Sequence, residues 1–414
     1  MELVVSQTTD KQVSFFIVLQ VTLMGVKNVL VQGIPFLYAI NEMLNIIITG
    51  VVSVLYLYAL LKVEGRRTSG STKLFAIFIA ATIVFTLLIF PQNEAFMRPY
   101  YLRWIVVFFL TSYLLCKLNT FDWLQHYMLY GSYFMTLSGV LYAFEVQLIG
   151  HSVTSDWSTY SMSMSNVVMW AVMWQLHAFF KKNNYWSLLF ALIGIAIIFM
   201  YGSRNPMLAI FIYGLILLYD RSKSKKSVSS SIPILIVGLL MVFFVINAKP
   251  LLNSLSSFME VHGLSSRSLG LLMSADTEDF STGRNDIHNE IRKLIWNEPI
   301  LGSGVCGDEA NIGEMAHSLY LSIFVTYGVI IGTLFLIAIA VLCFKALKKA
   351  RGLEHQILVM YLCLVLPRGF TGGDMWTSDV FWWLMGIAFM ILSNKQRIRR
   401  NAISNTRQES VSLA

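Results

Sequence analysis

Long apolar runs alternate with short polar connections along most of this chain. The runs hold roughly 14 to 28 residues, and a helix of about 20 residues crosses a hydrocarbon core of about 30 Å. The weakest run, 206–219, would reach only about 21 Å as a helix, so a short re-entrant or thinned segment is its alternative. The pattern predicts about twelve spans, near residues 14–34, 41–61, 74–90, 100–116, 124–149, 162–180, 185–201, 206–219, 232–248, 317–344, 356–373 and 377–393.

The expected fold is all-α, a polytopic transmembrane helical bundle with one large, partly helical outer loop. Residues 1–248 would hold nine spans, 317–393 the last three, and 394–414 a cytoplasmic tail. Between them, 249–316 carries Pro, Gly, Ser, Asn and charge in a mixture that lipid would not tolerate. The loop is therefore predicted to lie outside the membrane, where long ordered connections are usually functional.

The outer loop contains an amphipathic helix pattern in the stretch "TGRNDIHNEIRKLIWNEPILGSG". Its apolar positions at helical spacing are Ile287, Ile291, Leu294 and Ile295. Basic residues recur beside them at i, i+4 and i+8, namely Arg284, His288 and Arg292. We expect the helix to end at Asn297 and Pro299 and a turn to follow at Gly302 and Gly304.

Composition supports a membrane protein and assigns the positive charge to one side. Hydrophobic residues make up 56% of the 414 residues, charged residues only 13%, and the mean hydropathy is +0.64. The net charge of +8 does not indicate nucleic-acid binding, because the basic clusters fall on one side if the spans alternate. Both termini are then cytoplasmic. The clusters are "KVEGRRTSGSTK", "KKNN", "RSKSKK", "KALKKARG" and "NKQRIRR".

Basic residues predicted on the outer side are exceptions to the positive-inside bias, so each requires a structural or functional explanation. Each could simply reach lipid headgroups or pair with an acid. The functional interpretation is a site for a lipid-linked phosphate or pyrophosphate, since guanidinium groups donate in pairs to phosphate oxygens. Arg204 is the sharpest case, because Asn205 and Pro206 predict a helix start there with its positive end outward. The outer basic residues are Arg98, Arg103, Arg204, Lys249, Arg267, Arg284, Arg292, Lys293 and Arg368.

His317 lies at the start of the long apolar run that begins "AHSLYLSIF". An interfacial histidine that hydrogen-bonds loop carbonyls is the structural alternative. Placed in the first turn of an outward-facing helix, however, the imidazole would stay neutral and could accept a proton. A neutral base beside an anion site suits glycosyl transfer, in which an acceptor hydroxyl loses a proton and a diphosphate departs.

Other polar and aromatic residues near the outer side receive structural interpretations. Asp374 and Asp379 are expected to pair with Arg103 or Arg368 or to face water. The tryptophans of the last outer turn, Trp376, Trp382 and Trp383, are expected to be interfacial anchors. No CxxC motif or Cys/His ligand spacing occurs, so neither a metal site nor a cofactor is predicted.

Four short motifs, in this order, resemble the O-antigen polymerase and O-antigen ligase superfamily: "SRNP", "TGRNDI", "WNEPILGSG" and "AHSLYLSIFVTYGVIIG". The resemblance implies a GT-C-type inverting glycosyltransferase of the bacterial inner membrane, metal-independent, with its site on the periplasmic side. Arg204 and Arg284 would bind the pyrophosphate, and His317 would activate the acceptor hydroxyl. Ser318 stands where the family often has Asn. Further substrate contacts are expected from Arg98, Arg103, His288, Arg292 and Arg368.

Three functions follow from this reading. The first is a polymerase that transfers an undecaprenyl-pyrophosphate-linked glycan to another lipid-linked repeat unit. The second is a ligase that transfers the glycan to lipid A core. A flippase or other transporter is the third, although internal repeats and buried mid-span polar residues would then be expected. The expected partners are the lipid-linked oligosaccharide, membrane lipids and a chain-length regulator protein, and not nucleic acid.

Overall fold

The computed structural model describes residues 2–66, 68–149, 161–201, 204–225 and 284–393, with the single positions 254, 257 and 261. Every regular element in these residues is a helix, so the all-α class is confirmed for them. The helices are α1 (Glu2–Gly33), α2 (Pro35–Ala39), α3 (Asn41–Val63), α4 (Gly70–Ile89), α5 (Pro91–Lys117), α6 (Asp122–Ile149), α7 (Met162–Lys182), α8 (Tyr185–Tyr201), α9 (Arg204–Lys225), α10 (Arg284–Asn297), α11 (Gly307–Ile312), α12 (Leu319–Lys349), α13 (Gly352–Thr371) and α14 (Asp379–Ser393).

The predicted spans coincide with these helices, apart from 232–248, which lies outside the described residues. The doubtful run 206–219 belongs to the longer helix α9. The total of about twelve spans stays a prediction. Among the residues that the structure describes, five helical segments are long and apolar enough to cross a membrane: Gln7–Gln32, Asn41–Val63, Gly70–Ile89, Pro91–Lys117 and Leu319–Lys349.

Serine caps begin several of these helices. Ser69 accepts a hydrogen bond from the backbone N–H of Thr72 (3.1 Å), and Ser161 accepts one from Met164 (3.0 Å). Such caps satisfy N–H groups that have no partner within the helix. The helix starts are thus set locally, by a polar side chain at the edge of an apolar run.

The chain forms two compact units. The first comprises the described parts of residues 1–17, 49–124 and 284–414, and the second those of residues 18–48 and 125–283. In the second unit α7 is the central element, buried along most of its length and packed against α8 and α9. Gly194 permits this packing, since a Cβ there would lie 2.5 Å from a methyl carbon of Val172.

The core of the first unit is aromatic. Trp376, Trp382 and Trp383 are almost completely buried, so their interpretation as interfacial anchors is wrong. The indole N–H of Trp376 donates to Thr326 Oγ1 (3.3 Å), and that of Trp382 donates to the carbonyl of Met375 (3.1 Å). Buried tryptophans usually find such partners. These residues therefore hold the last outer turn in place.

Candidate active site

The apolar run that begins at residue 319 is broken at Gly328. This glycine has φ 73° and ψ 176°, so two helical pieces meet there. Backbone groups at the break bond to the loop after α10: Val329 N–H donates to the Pro299 carbonyl (2.7 Å), and Ser303 N–H donates to the Val325 carbonyl (2.7 Å). The loop thus replaces the hydrogen bonds that the helix loses.

Glycine is required on both sides of this junction. Gly302 has φ 67°, and a Cβ on it would lie 2.4 Å from the Val325 carbonyl oxygen. A Cβ on Gly328 would lie 2.7 Å from the Pro299 carbonyl oxygen. The predicted turn at Gly302 and Gly304 is confirmed, because both adopt positive φ. The "EPILGSG" stretch is therefore built for a close approach of two backbones.

Helices α4 and α5 of the first unit also bind the loop that follows α10. The side-chain nitrogen of Asn93 donates to the carbonyls of Ser303 (2.8 Å) and Val305 (2.9 Å). The hydroxyl oxygen of Thr86 accepts from the backbone N–H of Val305 (3.1 Å). All these groups are buried. The backbone that leads into Cys306 and α11 is thereby fixed.

Asp308 begins α11 and fixes the segment that carries His317. Its carboxylate Oδ2 accepts a hydrogen bond from the backbone N–H of Ala316 (2.7 Å), and its side chain is buried. Burial raises the pKa of this carboxyl group, while the N–H of Ala316 and the nearby His317 act in the opposite direction. A carboxylate beside an imidazole stabilises the imidazolium form.

His317 precedes α12 instead of lying in its first turn, which corrects the expectation. It adopts φ 48°, a conformation uncommon for a residue with a side chain. The helix cap is Ser318, whose hydroxyl oxygen accepts from Leu321 N–H (3.4 Å) and whose hydroxyl donates to the Gly369 carbonyl (2.9 Å). The imidazole is half-buried, and the backbone on either side of it is fixed by Asp308 and by the Ser318 cap.

Asp374 is a buried acid in the turn between α13 and α14. Burial, together with the carboxylates of Asp308 and Glu309, raises its pKa to about 7, although hydrogen bonds from Ser322 and Trp376 act in the opposite direction. Within the part of the chain that the structure describes, its Oδ1 accepts no hydrogen bond. The expected pairing of Asp374 with an arginine is therefore replaced by a place among other acids.

The acidic groups gather around Cys306 and the start of α5. Burial raises the pKa of the Cys306 thiol, and Asp374, Glu309 and Asp308 raise it further, so this thiol stays protonated. Tyr100 interacts electrostatically with Glu309, Cys306, Asp374 and the guanidinium of Arg103. Its ring stacks on Trp104, whose ring lies 5.4 Å from that of Trp376. Residues 104–110 form a π-helix, a distortion frequent at functional sites.

The remaining candidate residues of the first unit are placed as follows. Arg98 and Arg103 are exposed on the first turns of α5. Arg368 forms an ion pair with Asp379 (3.7 Å), which confirms that predicted pairing. On α10, His288 is half-buried and Arg292 is exposed, with a hydrogen bond to Asn289 (2.9 Å).

The two arginines expected to bind pyrophosphate each begin a helix. Arg284 is the first residue of α10 in the first unit, and Arg204 is the first residue of α9 in the second. The described part of α9 begins at Arg204, next to the predicted Asn205–Pro206 helix start. The predicted end of α10 at Asn297 is confirmed.

Asp308 and Glu309 are site residues that the sequence did not indicate. They stand in "CGDEANIGEMAHS" within the outer loop, where acids are ordinary. They are eight and nine residues from His317, but α11 ends at Ile312 between them, so periodicity along one element could not indicate that they are close. The sequence feature that could have indicated them is that two acidic residues precede His317 by fewer than ten residues.

Comparison with known proteins identifies the region that contains the histidine. The sequence model of the O-antigen ligase family matches residues 189–337. This match confirms the resemblance to the O-antigen ligase and polymerase superfamily for that segment. No curated protein sequence shows a significant match. Together with the apolar helices, the family match indicates a membrane protein.

Proposed function

We propose that this chain, whose residues 189–337 carry the O-antigen ligase family segment, is a membrane glycosyltransferase that polymerises a surface polysaccharide. The donor is an undecaprenyl-pyrophosphate-linked glycan, and the acceptor is a sugar hydroxyl of another lipid-linked repeat unit. One observation carries the proposal: His317 lies beside the buried carboxylate of Asp308, in a segment held by a backbone hydrogen bond.

In the proposed reaction His317 acts as the general base. The acceptor oxygen attacks the anomeric carbon, the bond to the pyrophosphate breaks, and the acceptor proton moves to the imidazole. The carboxylate of Asp308 stabilises the imidazolium that forms. Attack opposite the departing pyrophosphate inverts the anomeric configuration.

The departing pyrophosphate would be bound by Arg204 and Arg284. Both residues stand at helix N-termini, where the helix dipole favours an anion. In this proposal two guanidinium groups would supply the positive charge without a metal ion. We therefore expect activity to persist in EDTA, measured as polymer formed by the purified protein with and without the chelator. Loss of activity that Mg²⁺ restores would contradict this arrangement.

A ligase is the second candidate, favoured by the name of the matching family. The donor chemistry is common to both functions, and only the acceptor differs. The purified protein is incubated with lipid-linked repeat units alone, with His317→Gln as the inactive control. A ladder of products selects the polymerase, whereas transfer that appears only after lipid A core is added selects the ligase.

The site is proposed to face the periplasm of a bacterial inner membrane. This orientation places the basic clusters on the cytoplasmic side, as the positive-inside bias requires. Reporter fusions after residue 270 and at the C-terminus test it. A cytoplasmic signal at residue 270 would contradict the proposed reaction site.

A further inference from the structure

The loop that follows α10 joins α12 at a depth where water is absent. Lys345 is the first cation toward the far end of α12. A hydrocarbon core takes about 20 helical residues, so counting back from Lys345 sets the boundary on the loop side near Val325. Gly328 then lies about 5 Å inside the hydrocarbon. Pro299, bonded to Val329 at 2.7 Å, lies at the same level.

The backbone of this loop is hydrogen-bonded as a segment inside a membrane must be. Pro299 O accepts from Val329, Gly302 N–H donates to Glu298 O (3.0 Å), and Ser303 N–H donates to Val325 O. Asn93 and Thr86 satisfy Ser303 O and both backbone groups of Val305. Irregular backbone is tolerated at membrane depth only where protein groups satisfy it.

The side chains divide into a buried and an apolar outward-facing set. Ile291 and Ile295 pack against Ala316 and Val325. In contrast, Trp296, Ile300 and Leu301 are 70%, 58% and 46% exposed. The backbone of Ile300 adjoins α12 at Gly328, and farther along α12 the side chain of Leu334 is 62% exposed.

We propose that residues 296–301 form a re-entrant segment whose Ile300 and Leu301 side chains contact the acyl chains of bilayer phospholipids. The exposed Glu298 reaches back toward the water line, and the chain from Pro299 onward lies inside the hydrocarbon. Trp296 lies at the interface, as tryptophans do in membrane proteins. The exposed Arg292 and Lys293, one turn earlier on α10, face lipid phosphates. This inference depends on α12 crossing the membrane and not on the transferase reaction.

The segment would tie the reaction site to the membrane surface. Its Gly302–Val305 part leads directly into Cys306 and Asp308, which holds the His317 segment. A lipid-anchored loop on one side and a broken helix on the other would keep the imidazole at the depth of a lipid-linked pyrophosphate. The outer loop predicted as wholly aqueous therefore includes one membrane-embedded turn.

Spin-label accessibility of the full-length protein tests the proposal. Ile300→Cys and Leu301→Cys are labelled after reconstitution into nanodiscs of phosphatidylethanolamine and phosphatidylglycerol. The four native cysteines are buried, so the parent protein measures background labelling. Glu290→Cys, exposed on α10, is the aqueous standard, and Leu334→Cys is the lipid standard. Collisions with oxygen report lipid, and collisions with a water-soluble nickel chelate report water.

We expect both labels to resemble Leu334→Cys, with oxygen accessibility several-fold above nickel accessibility, and Glu290→Cys to show the reverse. Nickel accessibility at residues 300 and 301 equal to that at residue 290 would overturn the proposal. Low accessibility to both reagents would overturn it as well, because another part of the protein or a second copy would then cover the segment. Two adjacent positions guard against a single cysteine that loosens the loop.

Discussion

The two units bury polar side chains in opposite ways. In the second unit, the Gln175 amide donates to the Ser132 carbonyl (3.1 Å) and to Thr136 Oγ1 (2.9 Å), and His177 Nδ1 is hydrogen-bonded to the Tyr213 hydroxyl (2.9 Å). These neutral groups bridge neighbouring helices. In the first unit, Asp308 and Asp374 are buried close to each other and to Glu309.

The difference separates a structural network from a functional one. Hydrogen bonds between neutral groups of adjacent helices stabilise packing and specify which helices meet. Carboxyl groups buried beside other carboxyl groups oppose stability, since each disfavours the charge of the next. Such an arrangement is expected where chemistry needs it. The histidines illustrate this contrast: His177 bonds to a phenol, whereas His317 lies beside a carboxylate.

The largest expected effect on turnover comes from replacing one of the two histidines, His317 or His177, by glutamine at a time. His317→Gln should lower turnover by roughly 10² to 10⁴-fold, because the acceptor proton loses its base. His177→Gln should leave turnover near that of the parent and lower only stability. Polymer formation is measured in membranes with matched expression. Near-normal polymer from His317→Gln would return this histidine to a structural role.

Removal of the proposed pyrophosphate ligands should have the next largest effect. Each charge-assisted hydrogen bond contributes about 1.5 to 3 kcal/mol, so Arg204→Ala and Arg284→Ala should each lower turnover by about 10- to 150-fold. Lysine at either position should restore only part of the lost turnover, since its ammonium group lacks the paired donors of a guanidinium. Arg351→Ala is the control, because this arginine donates to the backbone carbonyls of Lys348 and Ala350 at the far end of α12. Full activity in Arg204→Ala would exclude that residue from the site.

Asp308→Asn should have a smaller effect with a characteristic pH signature. The amide oxygen can still accept from Ala316, so the loop should remain closed while the negative charge is lost. Turnover should fall by about tenfold, since one charge partner of the imidazolium is removed. The activity of the parent declines as the base becomes protonated at low pH. In the variant this decline should move to lower pH, and an unchanged pH profile would separate Asp308 from the base.

The smallest effect is expected on stability, from Asp374→Asn. The folded pKa is raised from the ordinary value of 3.8 to about 7. Between these values the folded protein binds more protons than the unfolded chain, so stability should fall as pH rises through this window. Asn removes this dependence and should stabilise the protein at pH 8 by on the order of 1 kcal/mol. Thermal unfolding in detergent at pH 5 and pH 8 tests it. Identical pH dependence in both proteins would show that Asp374 titrates normally.

Several features of the fold could be read from short stretches of sequence. The apolar runs predict helices, and the stop at Asn297 and the turn glycines Gly302 and Gly304 follow from local conformational preference. The pair Arg368–Asp379 was also expected. The sequence also singled out His317, Arg204 and Arg284 as candidate site residues, and their roles stay a prediction. The acids of the candidate site were not singled out, because their neighbours are distant along the chain.

The sequence by itself determined where the chain is apolar, where helices begin and end, and which side chains carry charge. These properties depend on a residue and its neighbours within a few turns. Tertiary structure alone decided that the run 317–344 breaks at Gly328, since a glycine within an apolar helix does not predict a break. The break is stable because Pro299 and Ser303 supply its hydrogen bonds. Tertiary structure also brought Asp374 to Asp308: burial, not local sequence, raises the pKa of both groups, and the neighbouring carboxylates raise that of Asp374 further.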